Sequence, residues 1–204
     1  MSERISLKLG RVFTAVAGAV PVSLVIDVRG EITSHDVSVW ELAAQKGIFT
    51  DITEDPVTYV NAPLHAKERG LEVQLVTAPV AEDFRNVTTL RGTLADGTVR
   101  SVSGTLTGPK MVQKITEVDG FDLEVPSSRH MAFFRYVDRP GVIGTLGRLL
   151  GEGSINLAAR QVSRHDASAR AMVGLSVDSA ISAETSAAIE SEISTEMLRV
   201  VNLS

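Results

Sequence analysis

The last third of the chain alternates between strand and helix periodicity in an order that few folds can accommodate. Met131 to Val137 is an apolar strand-like run, and Pro140 to Leu150 carries Val142, Ile143, Leu146, Leu149 and Leu150 on one helical stripe. Asn156 to Val162 and Ala171 to Val177 read as strands. Ala183 to Ser194 reads as a helix capped by Ser182, and Leu198 to Leu203 as a final strand. Strand, helix, strand, strand, helix, strand is the ferredoxin-like split βαβ arrangement, a four-stranded antiparallel sheet with both helices on one face.

Upstream the grammar differs. Leu9, Val12, Phe13 and Val16 predict a helix over 6–19, and Val22 to Val28 predicts a strand closed by Gly30. Ser34 is a candidate cap for a second helix holding Val37, Trp40, Leu42 and Ala44, with Gly47 as its stop. Asn61-Ala62-Pro63 opens a third helix that ends at Gly70. From Leu71 strands take over: Val73 to Val76, then Val87 to Leu94 and Val99 to Leu106 around the hairpin signal Asp96-Gly97. Met111 to Val118 and, after Asp119-Gly120, Phe121 to Leu123 complete the set. Helices first and a mostly antiparallel sheet afterwards make the whole chain α+β. The small, polar Pro126-Ser127-Ser128 marks the boundary, giving domains over 1–126 and 129–204.

Several function classes are excluded by what the chain lacks. A net charge of −5 over 204 residues argues against a nucleic-acid partner, which calls for a concentrated basic surface. No apolar run approaches the roughly 18 residues of a membrane span, and Met1-Ser2-Glu3-Arg4 lacks the character of a secretory signal. There is no cysteine, so thiolate metal sites, iron–sulfur clusters and cysteine nucleophiles are all excluded. The expectation is a cytoplasmic protein without a membrane or nucleic-acid partner.

Nor do the residues assemble a catalytic centre. A nicotinamide-dependent enzyme needs a strand followed by G-x-G-x-x-G and an acidic residue further on. Gly141, Gly144 and Gly147 instead fall every third residue within a helix, where they suit close helix packing, and Gly151-x-Gly153 is a loop entering a strand. His35 and His65 lie in helical segments, His130 starts a strand and His165 sits in the polar loop Arg164-His165-Asp166. No metal-ligand spacing relates these four, so no metal is expected. Glu190 and Glu192 read as a solvated helix face, and nothing singles out Arg148 or Arg160.

The segment richest in binding chemistry is Tyr136-Val137-Asp138-Arg139-Pro140-Gly141-Val142-Ile143-Gly144. Asp138 stands before a helix start, Pro140 suits the first turn, and Gly141 leaves the first amides unobstructed. Free N–H groups and a partial positive charge suit a carboxylate, while Asp138 suits an ammonium. The plain alternative is that Asp138 is a helix cap and Pro-Gly is punctuation. Asn156, entering a strand, is equally a loop residue or a donor-and-acceptor pair for an α-amino acid.

Tyr136-x-Asp138-Arg139-Pro140-Gly141-Val142, then Gly144, Leu149-Leu150 and Gly153-x-Ile155-Asn156-Leu157, resembles the ACT domain of phosphoglycerate dehydrogenases. The resemblance implies L-serine as ligand, held where two ACT domains meet. Asp138 and the amides of Gly141, Val142 and Ile143 would come from one subunit with Tyr136, and Asn156, beside Ile155, from its neighbour. Pro21-Val22-Ser23-Leu24, Gly47-Ile48-Phe49, Tyr59-Val60-Asn61-Ala62-Pro63, Glu68-Arg69-Gly70 and Ser103-Gly104-Thr105-Leu106 resemble the intervening domain of the long-form enzymes, described as an allosteric substrate-binding domain. The family's basic residues after the Gly120 position are replaced, with Glu124 in the place of an Arg; Lys114 remains as the candidate for an anionic effector, with Lys110, Arg129 and His130 nearby in sequence. The resemblance thus implies a homo-oligomeric regulatory region that catalyses nothing by itself, partnered by catalytic domains where NAD would bind; no cofactor is expected here. Two other readings are a free-standing amino-acid sensor, since Met1 opens on a complete helix, and a non-catalytic subunit of an L-serine dehydratase.

Overall fold

The computed structural model describes residues 3–165 and 169–203. They divide into two compact units, the first ending at Gly120 and the second beginning at Phe121, and the chain is α+β throughout. No helix among the described residues is long and apolar enough to cross a membrane.

In the first unit, α1 (Glu3–Ala17) buries Ile5, Leu9, Val12, Phe13 and Val16, one stripe of a helix. It packs on α2 (Ser38–Thr50) and on the strands β3 (Asn86–Thr93) and β4 (Val99–Thr107). With β1 (Ser23–Gly30), β2 (Glu72–Ala78) and β5 (Val112–Val118), the strand order is β2-β1-β3-β4-β5. Only β1–β2 is parallel, with α2 and α3 (Ala62–Glu68) in the connection between them. The β3–β4 turn is the expected hairpin: Gly97 takes φ 83°, and Leu94 and Thr98 close the ladder with an N–H to carbonyl bond of 2.8 Å.

The second helix departs from the sequence reading at both ends. Ser34 belongs to a 3₁₀ turn, Glu31–Ser34, and His35 lies just beyond that turn rather than in a helix. The Asp36 carboxylate accepts the Ser38 N–H at 2.9 Å, and the helix begins at Ser38, three residues later than a Ser34 cap would place it. Gly47 does not stop it. A Cβ there would stand 2.1 Å from the Leu7 carbonyl oxygen and 3.0 Å from the Gly10 Cα, so this glycine lets α1 and α2 touch backbone to backbone. The helix runs on to Thr50, and Arg11, buried in α1, holds Asp51 beyond its end through two bonds of 2.8 Å.

The second unit holds β6 (Phe121–Pro126), β7 (His130–Val137), α4 (Val142–Glu152), β8 (Leu157–His165), β9 (Arg170–Val177), α5 (Ala183–Ile193) and β10 (Met197–Asn202). Its antiparallel sheet has the order β10-β7-β9-β8, the ferredoxin-like arrangement. Ala132, Phe134 and Tyr136 of β7 and Ala171, Val173 and Leu175 of β9 face the helices, where Leu146, Leu149, Leu150, Ile189 and Ile193 complete the core. On the other face Leu123 and Val125 of β6 reach Gly174, whose missing side chain makes the room. Ser182 caps α5 as expected, accepting the Thr185 N–H at 3.0 Å.

The start of α4 is also corrected. It begins at Val142, with Gly141 as its N-cap at φ 90°. That left-handed backbone suits glycine and lets the chain turn from β7 into the helix without a side-chain cap. Asp138 is therefore no cap, and Pro140 precedes the helix. Gly144 and Gly147 do not serve close packing in this chain, since a Cβ at either would meet nothing within 4 Å. Strand β8 starts one residue after Asn156 and extends through Arg164 and His165, where a polar loop is expected; Asp166 lies outside the described residues.

Candidate effector-binding site

The residues of the Tyr136–Ile143 segment gather at the end of β7. The Asp138 N–H donates to the Ala169 carbonyl at 2.9 Å, which fixes the backbone where the β7–β9 ladder ends. Tyr136 is almost wholly buried, its ring tilted against Phe134 at 5.7 Å between centroids. Burial foremost, then the Asp138 charge, pushes the Tyr136 phenol above its ordinary value. Side chains of Val142 and Ile155 are in the core and Ile143 packs against it, so these residues can offer a ligand only their backbone. With Gly141 making no side-chain cap, the first amides of α4 remain donors beside a carboxylate.

That carboxylate is already engaged. Arg164 Nε donates to Asp138 Oδ2 at 2.6 Å, from a side chain about two-thirds exposed. Arg139 donates from Nη2 to the Ile193 carbonyl at 2.9 Å and the Glu192 carbonyl at 3.3 Å, closing the C-terminus of α5. Arg148 ties the two helices together by bonding both Glu152, at 2.8 Å, and Glu192. Glu192 is thus exposed but partnered.

Asn156 stands elsewhere. Its N–H donates to Asp178 Oδ1 at 3.0 Å and its Nδ2 to Asp178 Oδ2 at 2.7 Å, while the Asp178 N–H returns to the Asn156 carbonyl at 3.1 Å. The carboxamide bond foremost, then the backbone N–H and the Ser179 hydroxyl, hold the Asp178 carboxyl below its ordinary value. This fork fixes the carboxamide and leaves it a second N–H and its Oδ1 for other partners. Asn156 precedes the first residue of β8, whereas Asp138 is bonded near that strand's last residue. At about 3.3 Å per residue they lie at opposite ends of the strand, roughly 25 Å apart, and one copy cannot bring both to one small ligand.

Comparison with known proteins settles the family. The family model described as "D-3-phosphoglycerate dehydrogenase intervening domain" matches residues 4–119. The chain belongs to the D-3-phosphoglycerate dehydrogenase family. It is 38% identical over 197 residues to the enzyme of that name from Mycobacterium leprae and 37% identical over 197 residues to that from Mycobacterium bovis, covering 97% of this chain in each case. The Bacillus subtilis enzyme is 29% identical over 153 residues, 75% of this chain. The chain spans only 37% of the length of the mycobacterial relatives and corresponds to their C-terminal regulatory part.

In the family's intervening domain, Lys114 lies on β5 opposite Thr105, half-buried, and Lys110 in the exposed turn before it. Arg129 and His130 belong to the second unit, where His130 Nδ1 and Asn202 Oδ1 share a hydrogen bond of 2.8 Å. Among the described residues no group of three or more His, Asp or Glu side chains gathers to hold a metal. Two residues at the ends of β8 escaped the sequence reading. Asp178 is found only through the register of β8 on β9, where Leu157 stands opposite Val177 and Asn156 therefore falls against Asp178. Arg164 gave no local signal; only the packing of β8 beside the β7–α4 turn brings it to Asp138.

Proposed function

We propose that this chain is an effector-binding region of a D-3-phosphoglycerate dehydrogenase that takes L-serine between two copies of its second unit. The observation that carries this reading is the polarity of β8. One end presents Asp138 with the uncapped amides of α4, and the other presents Asn156 in its Asp178 fork. β8 is an edge strand whose outer side carries no strand among the described residues, and such an edge is a template for pairing. Antiparallel pairing of β8 with itself about a two-fold axis sets the Asp138 end of one copy against the Asn156 end of the other, twice. A zwitterion between them has its carboxylate on the helix amides, its ammonium on Asp138 and its hydroxyl or carboxylate on Asn156, so neither charge is left unpaired on leaving water.

On this reading the chain is homo-oligomeric, performs no oxidation by itself and needs no cofactor, NAD belonging to catalytic domains outside it. Lys114 is a subsidiary candidate for an anionic effector. The test is calorimetric titration of L-serine into the wild type, Asp138→Asn and Asn156→Ala, with light scattering on the same samples. Each substitution should weaken binding at least tenfold, and the wild type should scatter as a dimer or larger. Serine affinity untouched by Asp138→Asn, a monomer at tens of micromolar with and without serine, or NADH production by the pure chain would each overturn the corresponding part.

A further inference from the structure

Arg164 occupies the position that the proposed function gives to the ligand's ammonium group. Its Nε lies 2.6 Å from Asp138 Oδ2, the distance of a charge-assisted hydrogen bond. The geometry leading to this contact is built in. Val162 packs on the helix-side core, and Arg164, two residues further along β8, projects from the same face toward the β7–α4 turn. Its guanidinium is exposed, so it can swing away without opening a cavity. Asp138 is only partly exposed and is held by the Ala169 carbonyl through its own N–H, so it stays where it is.

We propose that Arg164 is a resident competitor for the effector's ammonium, a positioning residue that keeps Asp138 paired in the free protein and must be displaced when an amino acid enters. This rests on the reading that Asp138 receives that ammonium. The pairing does two things. It prevents a lone carboxylate from sitting beside the ligand's own carboxylate site, and it lowers the apparent affinity by the work of breaking the pair. An ion pair this exposed is weak, so its removal should tighten binding roughly two- to fivefold rather than by orders of magnitude. The competition acts on ammonium alone. A ligand with the carboxylate and hydroxyl but no amine, 3-hydroxypropionate, meets Asp138 as a repelling charge, and there Arg164 helps instead.

The experiment titrates L-serine and 3-hydroxypropionate into the full chain, its Arg164→Gln variant and its Asp138→Asn variant, at low and moderate salt. Arg164→Gln should bind L-serine roughly two- to fivefold more tightly than the wild type, with the gain shrinking as salt screens the pair. The same variant should bind 3-hydroxypropionate no better. Serine binding by Arg164→Gln where the wild type shows none would support the same conclusion in stronger form. If serine binds, Asp138→Asn weakens it and Arg164→Gln is unchanged or weaker, Arg164 is a bystander or a direct ligand contact. The inference then falls while the site stands. If neither wild type nor Arg164→Gln binds serine, the site reading fails and takes the inference with it.

Discussion

Replacing Gly47 by alanine sets two effects against each other inside α2. Alanine is the better helix former, and in an open helix interior the change would add about 1 kcal/mol of stability. Here the new Cβ stands 2.1 Å from the Leu7 carbonyl oxygen and 3.0 Å from the Gly10 Cα. Both obstacles are backbone, so no rotamer change relieves them. Restoring ordinary contact near 3.5 Å moves α1 and α2 apart by roughly 1.4 Å. Over two turns of a helix about 10 Å wide, that opens on the order of 140 Å³, worth about 3 kcal/mol at ~24 cal/mol per Å³. The net loss is therefore about 2 kcal/mol. Trp40, the only tryptophan, is buried in α2, so its emission during urea unfolding reports the first unit. The midpoint should fall by about 1 M for a slope near 2 kcal/mol per M. A midpoint equal to or above the wild type would refute the backbone-contact argument, because helix propensity would then have prevailed.

Gly147→Ala is the counterpart on α4, where nothing lies within 4 Å of the added Cβ; thermal unfolding should show the second unit more stable by up to about 1 kcal/mol. A loss instead would mean that a surface from another copy packs on that face. Arg139→Ala removes the donors to the last carbonyls of α5 and should lower the second unit's stability by about 1 kcal/mol in the same assay. Asp178, lowered by its Asn156 fork, should titrate below the ordinary aspartate range in carbon NMR, and Asn156→Ala should move it back upward. With its folded value depressed, Asp178 contributes stability that is present above the unfolded pKa and is lost as pH falls through the folded one, so the contribution disappears only in the acid range below about 4.

The βαββαβ unit was legible because its strands and helices differ in period and each buries one face, so Leu146, Leu149 and Leu150 or Ala171 and Val173 point inward whatever lies around them. The Asp96-Gly97 hairpin and the Ser182 cap were legible for a similar reason. Each is set by one or two residues acting on their own backbone. Tyr136, Asp138 and Asn156 could be singled out by chemical type and by resemblance, and the enzyme family followed from the order of short matches along the chain.

What the chain alone left open was anything needing a partner distant in sequence. A glycine near the expected end of a helix reads as a stop. Gly47 is instead mid-helix, because Leu7 and Gly10, far away along the chain, come against it. Helix α4 begins at Val142 rather than at Pro140 because Gly141 can take a left-handed backbone, a choice set by the path from β7 rather than by local preference. Arg139, Arg164 and Asp178 are ordinary charged residues in sequence. Their partners, α5 carbonyls, Asp138 and Asn156, are 53, 26 and 22 positions distant. Periodicity and caps are properties of neighbours along the chain, so the sequence determined the elements, the α+β class and the candidate residues. Pairing across the fold depends on register and helix approach, so only the tertiary structure decided which carboxylate is engaged, by which cation, and at which end of the edge strand.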